Sequence, residues 1–120
     1  MAQQRVKFIS YLTKREIELQ DLKDQSYEAV VLPSGAEILS VNVEVLEGAK
    51  IGSTLNIGLK DDEKFFSELL DITQKTNYAS SKITATKKQE IITLKLNQET
   101  SGVIVLRVLY FLPSEIMAEF

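Results

Sequence analysis

The stretch Ala36-Glu37-Ile38-Leu39-Ser40-Val41-Asn42-Val43-Glu44-Val45-Leu46 decides the fold class. In an extended chain Leu39, Val41, Val43 and Val45 fall on one face, and Ser40, Asn42 and Glu44 on the other. Successive side chains of a strand point to opposite faces, whereas a helix would scatter those four apolar residues around its circumference. The segment is therefore predicted as a strand with one face buried.

The same period of two recurs on both sides of it. Towards the N-terminus, Tyr27, Ala29 and Val31 alternate with Glu28, Val30 and Leu32, and Ile17 and Leu19 with Glu16, Glu18 and Gln20. Towards the C-terminus, Leu55, Ile57 and Leu59 alternate with Thr54, Asn56 and Gly58. Ile83 and Ala85 then alternate with Lys82, Thr84 and Thr86, and Ile92, Leu94 and Leu96 with Thr93, Lys95 and Asn97. Val103 to Leu112 is apolar on both faces apart from Arg107, which predicts a central strand or one whose outer face another chain covers. Turn chemistry separates these segments: Pro33-Ser34-Gly35, the loop Glu47 to Gly52, and a polar hairpin connection from Asn97 to Gly102.

One segment departs from the pattern. Phe65, Phe66, Leu69 and Leu70 stand at helical spacing behind the acidic start Asp61-Asp62-Glu63, which suits a helix N-terminus. A short helix is predicted near residues 62–71. The expectation is an all-β antiparallel jelly roll or β-sandwich with about eight strands and that one helix.

The whole chain forms one expected domain, 1–120, with residues 1–13 as an N-terminal arm and residues 113–120 as a C-terminal segment. Val6, Phe8 and Ile9 are read as a short strand or as part of the arm. Ile116, Met117 and Phe120 either fold back on their own domain or dock on a neighbour. A chain of 120 residues buries roughly two thirds of its unfolded surface, so a core is available without staples. Hydrophobic residues at 44% and charged residues at 26% suit a folded domain.

Composition excludes several chemistries. The net charge is −3 and the densest cationic stretches are the pairs Lys14-Arg15 and Lys87-Lys88, too few for nucleic acid. Without cysteine there is no disulfide, thiolate site or thiol nucleophile. Without histidine the commonest general base and transition-metal ligand are missing, and with them the side chain that senses pH near neutrality. Association is therefore expected to change little between pH 5.5 and 8. The start Met1-Ala-Gln-Gln-Arg-Val-Lys7 lacks the apolar run of about 7–15 residues that marks a secretory signal, and no run approaches the roughly 20 residues of a membrane helix. A soluble protein made in the cytoplasm is expected.

No motif carries a mechanism. The glycines at 35, 48, 52, 58 and 102 form no phosphate-binding loop, and there is no nucleophile elbow. The acidic residues Asp61, Asp62, Glu63 and Asp71 lack calcium-loop spacing and read as a solvated loop. Glu16, Glu18 and Glu44 read as surface positions on polar strand faces. Phe65, Phe66, Tyr110 and Phe111 read as core, Tyr78 as exposed in a loop, and Tyr11 as a second candidate for exposure. No catalytic, cofactor-binding or metal residue is assigned.

Leu32-Pro33-Ser34-Gly35-Ala36-Glu37-Ile38, the alternating valines 41, 43 and 45, and Gly52-Ser53-Thr54-Leu55-Asn56-Ile57-Gly58 follow one another in a characteristic order. After them come an acidic loop at Asp61-Asp62, a turn with Phe65-Phe66, and Thr100-Ser101-Gly102-Val103-x-Val105 running to Tyr110. This order resembles that of small jelly-roll structural proteins of tailed bacteriophages, above all the head decoration (cement) proteins. The resemblance spans residues 26–112 and does not extend over residues 1–25. It implies a non-enzymatic virion protein without cofactors, made in the host cytoplasm. It further implies a homotrimer on the outer capsid surface that clamps the major capsid protein and stabilises the coat lattice. Neither nucleic acid nor membrane is an expected partner. The expected interface combines the N-terminal arm, the C-terminal segment and the apolar sheet face near the last strand. The alternative is a β-sandwich ligand-binding module, such as a carbohydrate-binding or phage fibre receptor-binding domain; an enzyme comes third.

Overall fold

The computed structural model describes residues 3–5, 8–23, 25–80, 82–113 and 117–119. Among them the strands are β1 (Gln3–Arg5), β2 (Phe8–Glu18), β3 (Tyr27–Leu32), β4 (Glu37–Glu47), β5 (Thr54–Leu59), β6 (Asp62–Asp71), β7 (Asn77–Ala79), β8 (Thr84–Ala85), β9 (Glu90–Leu96), β10 (Val103–Pro113) and β11 (Met117–Glu119). A single 3₁₀ turn, Leu19–Asp21, follows β2.

The pairing is nested. β1 pairs with β11, β2 with β10, β3 with β9, β4 with β7 and β8, and β5 with β6, all antiparallel. The chain is thus one long antiparallel ribbon, closed at Lys60-Asp61. It rolls up because β10 also pairs with β4, and β9 with β5. One sheet has the order β2-β10-β4-β7, with β8 on β4; the other has the order β3-β9-β5-β6. This is a jelly roll, as the patterning predicts.

The core lies between the sheets. Val41, Val43, Val45, Ile104, Leu106 and Val108 come from the first sheet, and Leu32, Leu55, Ile57, Ile92, Leu94 and Leu96 from the second. Leu19 and Leu22, both fully buried, plug one end, where the Leu19 amide donates to the Gly102 carbonyl at 2.9 Å. At the opposite end the β3–β4 crossover turns on Gly35 at φ +82°, a left-handed conformation that glycine adopts without strain. Thr86 ties that crossover together: its Oγ1 donates to the Pro33 carbonyl at 2.7 Å and accepts from the Ala36 amide at 2.9 Å.

Several local expectations are corrected. Residues 62–71 form strand β6, not a helix. Two register shifts against β5 insert extra residues and break the alternation, so apolar residues arrive at helix-like spacing. In β4 the buried residues are Ile38, Val41, Val43 and Val45, while Leu39 is exposed. A shift between Leu109 and Tyr110 leaves Leu39 as the extra residue of a bulge. In β3 a bulge at Ala29 reverses the alternation after it: Val30 and Leu32 are buried and Val31 is exposed. Around β8, Ile83 is exposed and Thr86 buried, the inverse of the predicted alternation, because Thr86 is drawn inward to bond the crossover. Asn97 to Gly102 is not a hairpin, because β9 and β10 belong to different sheets.

The described chain measures 62 × 26 × 20 Å, with a radius of gyration of 16.6 Å. A compact chain of this length would have a radius of about 13–14 Å. The excess comes from the open end of the ribbon, where β2 and β10 run on into the β1–β11 pair. That pair forms a two-stranded sheet of its own.

Candidate assembly interface

β10 lies between β2 and β4, as the apolar character of both its faces predicts. Ile104, Leu106 and Val108 enter the core and Tyr110 packs against it, so Val103, Val105, Arg107, Leu109 and Phe111 face outward. On this outer surface β2 places Ser10 opposite Phe111, Leu12 opposite Leu109, Lys14 opposite Arg107 and Glu16 opposite Val105. On the other flank β4 places Ser40 opposite Leu109, Asn42 opposite Arg107 and Glu44 opposite Val105.

The face has two halves of different chemistry. Around Val105 it is charged: Arg107 Nη1 donates to Glu44 Oε1 at 2.8 Å, and Lys14, Glu16 and Glu18 lie alongside. Around Leu109 it is apolar. Leu12 is 62% exposed and Leu39 42%, and Leu109 and Phe111 are half-buried. On the opposite side of the same strands, Tyr11 stacks on Tyr110 with ring centroids 5.4 Å apart and planes 18° from parallel. Tyr11 nonetheless remains exposed, because the second sheet does not cover it. Both surfaces of this distal part of the sheet thus carry apolar side chains in contact with water, and the β1–β11 pair continues from it. The C-terminal segment folds back at least in part: Met117–Glu119 pairs with Gln3–Arg5. Val6, Ile116 and Phe120 lie outside the described residues.

The other candidates do not converge on a site. Asp61 pairs with Lys88 Nζ at 3.0 Å, and this partner raises the lysine pKa above its ordinary value. Asp62 accepts from the Lys64 amide at 3.2 Å, and Glu63 is exposed. Asp71 stands at the far end of β6, on the order of 25 Å away at strand rise. It accepts from Thr73 Oγ1 at 2.6 Å and from the Thr73 amide at 2.9 Å, bonds that hold its carboxyl below the ordinary value. Among the described residues no three His, Cys, Asp or Glu side chains gather as a metal site would require. Tyr78 is not in an exposed loop: it pairs with Val43 through β7 and packs on the core. Phe66 is buried as predicted, and Phe65 is half-buried beneath Lys82 Nζ, 5.1 Å from its ring. A cavity of about 420 Å³ opens between Ile38, Leu59 and the Thr84–Lys88 segment, and it is lined mainly by apolar surface. Of its two hydroxyl side chains, Thr84 and Thr86, the second is committed to the crossover.

Sequence reading missed Leu12 and Leu39 as exposed residues. For Leu12 the available signal was the uncharged run Phe8-Ile9-Ser10-Tyr11-Leu12-Thr13, set between Lys7 and Lys14; for Leu39 there was none.

No protein-family model matches the chain, and none of the curated proteins matches it in sequence. Solved structures do. A chain in the acid-stable capsid of Helicobacter pylori bacteriophage KHP30 superposes with a TM-score of 0.80 and 30% identity, over 99% of this chain and 100% of that one. A chain of the cyanophage Pam1 capsid gives a TM-score of 0.70 at 15% identity, over 88% and 86%. A chain of the capsid of Ralstonia phage GP4 gives 0.64 at 13%, over 90% and 86%. The latter two speak for the fold alone.

Proposed function

The chain belongs to the same family of bacteriophage capsid proteins as the KHP30 chain, and from that premise we propose that it is a decoration (cement) protein. In this reading it binds the outer surface of the head as a homotrimer, clamps neighbouring copies of the major capsid protein, and has no catalytic role. Residues 1–120 act as one domain; of the expected arm 1–13, Phe8–Thr13 belong to β2, and the terminal ribbon that they begin is what reaches the lattice.

The observation that carries the reading is the terminal ribbon running out of an apolar, solvent-facing part of the β2–β10 sheet. A free monomer has no use for Leu12, Leu39, Leu109 and Phe111 in water; an interface does. The charge supports the outside of the shell, since a net −3 gives no attraction to packaged DNA. The physical effect is linkage. A protein that binds only the assembled lattice stabilises each site by about 2.7 kcal/mol when its free concentration is 100 times the dissociation constant.

The test is to mix the purified chain with expanded heads that lack it, and to follow co-sedimentation and the temperature at which heads release DNA. Saturable binding with a raised release temperature is expected, with a trimer by light scattering. Heads that neither bind the chain nor gain stability from it would overturn the reading. Binding to host cells or glycans in their place would establish the receptor-binding alternative.

A further inference from the structure

A jelly roll has four sheet edges, and three of them are blunted here. β3 and β6 carry register shifts, and β7 and β8 are only three and two residues long. Bulges and short strands are the usual defences against unwanted strand pairing. β2 has neither. It is eleven residues long, it pairs with β10 through eleven consecutive positions without a shift, and among the described residues nothing pairs with its other side.

The defence on β2 is chemical and covers only half of it. Lys14, Glu16 and Glu18 line the outer surface of the second half. Arg15 points inward, where its Nη1 donates to the Ala29 carbonyl at 2.8 Å and its Nη2 to Tyr27 Oη at 3.0 Å. Edge charges and inward-pointing charges both disfavour an added strand. The first half, Phe8-Ile9-Ser10-Tyr11-Leu12-Thr13, has no charge, no proline and no glycine, and its residues favour strands. An unpaired edge segment of this kind is an aggregation hazard unless something covers it.

We infer that the Phe8–Thr13 half of the β2 edge accepts an added strand from an extended, uncharged segment of the shell protein. This rests on the decoration reading above. A second copy of the chain is the poorer occupant. In a threefold ring each β2 would have to meet a different edge of its neighbour, and the other edges are the blunted ones. Main-chain hydrogen bonds supply the affinity in such strand addition, and side chains flanking the edge supply the selectivity. Here Leu12 favours an apolar neighbour on the outer surface, while Lys14 and Arg15 mark where pairing stops.

Strand addition has a signature that face-to-face packing lacks. In an antiparallel pair every second residue of β2 directs its amide to β10, and the others direct theirs to the open edge. Amide exchange of residues 8–13, read at single-residue resolution on the free chain and on the chain bound to heads, distinguishes the two. In the free chain alternate amides should exchange fast; on heads that fast set should slow at least tenfold, with the Lys14–Glu18 edge unchanged. A chain that binds heads while the fast set stays fast overturns the inference and leaves the decoration reading standing. If the chain does not bind heads, the decoration reading falls and takes this occupant with it. If the fast set is already protected in the free chain, and light scattering gives a dimer, the edge pairs with itself and the inference is overturned.

Discussion

At Leu39 one extra residue undoes the alternation of the strand that fixed the fold class. Ile38 replaces it in the core and Leu39 turns to solvent, yet Val41, Val43 and Val45 stay where the pattern puts them. Alternation is legible in sequence because each side chain reports its own face. A bulge is not, because it depends on how many residues the partner strand supplies. The same limit applies at Gly58. It reads as a polar-face position of β5, but it is buried where β6 crosses closest. A Cβ there would collide with the Asp62 carbonyl oxygen and the Glu63 backbone. Those atoms belong to main chain and cannot swing aside. Gly58→Ala should therefore cost about 3 kcal/mol or more, at the upper end of overpacking penalties. Urea denaturation would show it as a lower midpoint with an unchanged slope. A loss below about 1 kcal/mol would mean that the β5–β6 turn relaxes freely.

Among the elements, β4, β9 and β10 were readable because the core fills one or both of their faces with apolar side chains. β6 was not. It is an edge strand with one buried residue, Phe66, and its other apolar residues are partly or largely exposed. Nothing about its burial enforces a period of two, and its register shifts remove what periodicity remains. The shifts also strain it. Leu69 sits at φ +53°, a left-handed conformation, with its amide donating to Asn56 Oδ1 at 2.8 Å. That conformation costs a non-glycine residue about 1–2 kcal/mol. Glycine would remove this cost and add roughly 0.5–1 kcal/mol of chain entropy. Leu69 is 63% exposed, so little burial is lost. Leu69→Gly should raise stability by about 0.5–1 kcal/mol, a few degrees in melting temperature for a domain of this size. A fall in melting temperature would show that Leu69 packs against something that outweighs the strain. The free edge of β2 was hidden from sequence for a related reason: an edge is defined by the pairing that is missing, and only the assembled sheet shows it.

At the scale of the whole molecule, the nested ribbon brings β1 and β11 together at one end and leaves the plug of Leu19 and Leu22 at the other. Among the residues whose burial is described, the buried core cluster runs from Ile17 to Val108, with Tyr110 packed against it. The terminal ribbon can therefore engage a lattice without disturbing the fold, provided that pH does not change the charges of either. Two groups hold their protons differently once the chain folds. Asp71 binds its proton less tightly than its ordinary value of 3.8 implies, because Thr73 donates two hydrogen bonds to the carboxylate. Its contribution to stability is present above pH 3.8 and is lost as pH falls through the lowered folded value. Lys88 binds its proton more tightly than 10.5 implies, because Asp61 accepts its hydrogen bond. Its contribution is present below pH 10.5 and is lost as pH rises through the raised folded value. Between these limits there is no histidine to titrate. The melting temperature of the free chain should accordingly be flat from pH 5.5 to 8, and so should its affinity for heads if the shell surface is likewise free of titrating groups. Asp71→Asn should lower the melting temperature on that plateau and converge with the parent chain as pH falls below 3.8. A step in the free chain's melting temperature near pH 6.5 would contradict the plateau. Failure of the two curves to converge in acid would mean that Asp71 stabilises the fold by something other than its charge.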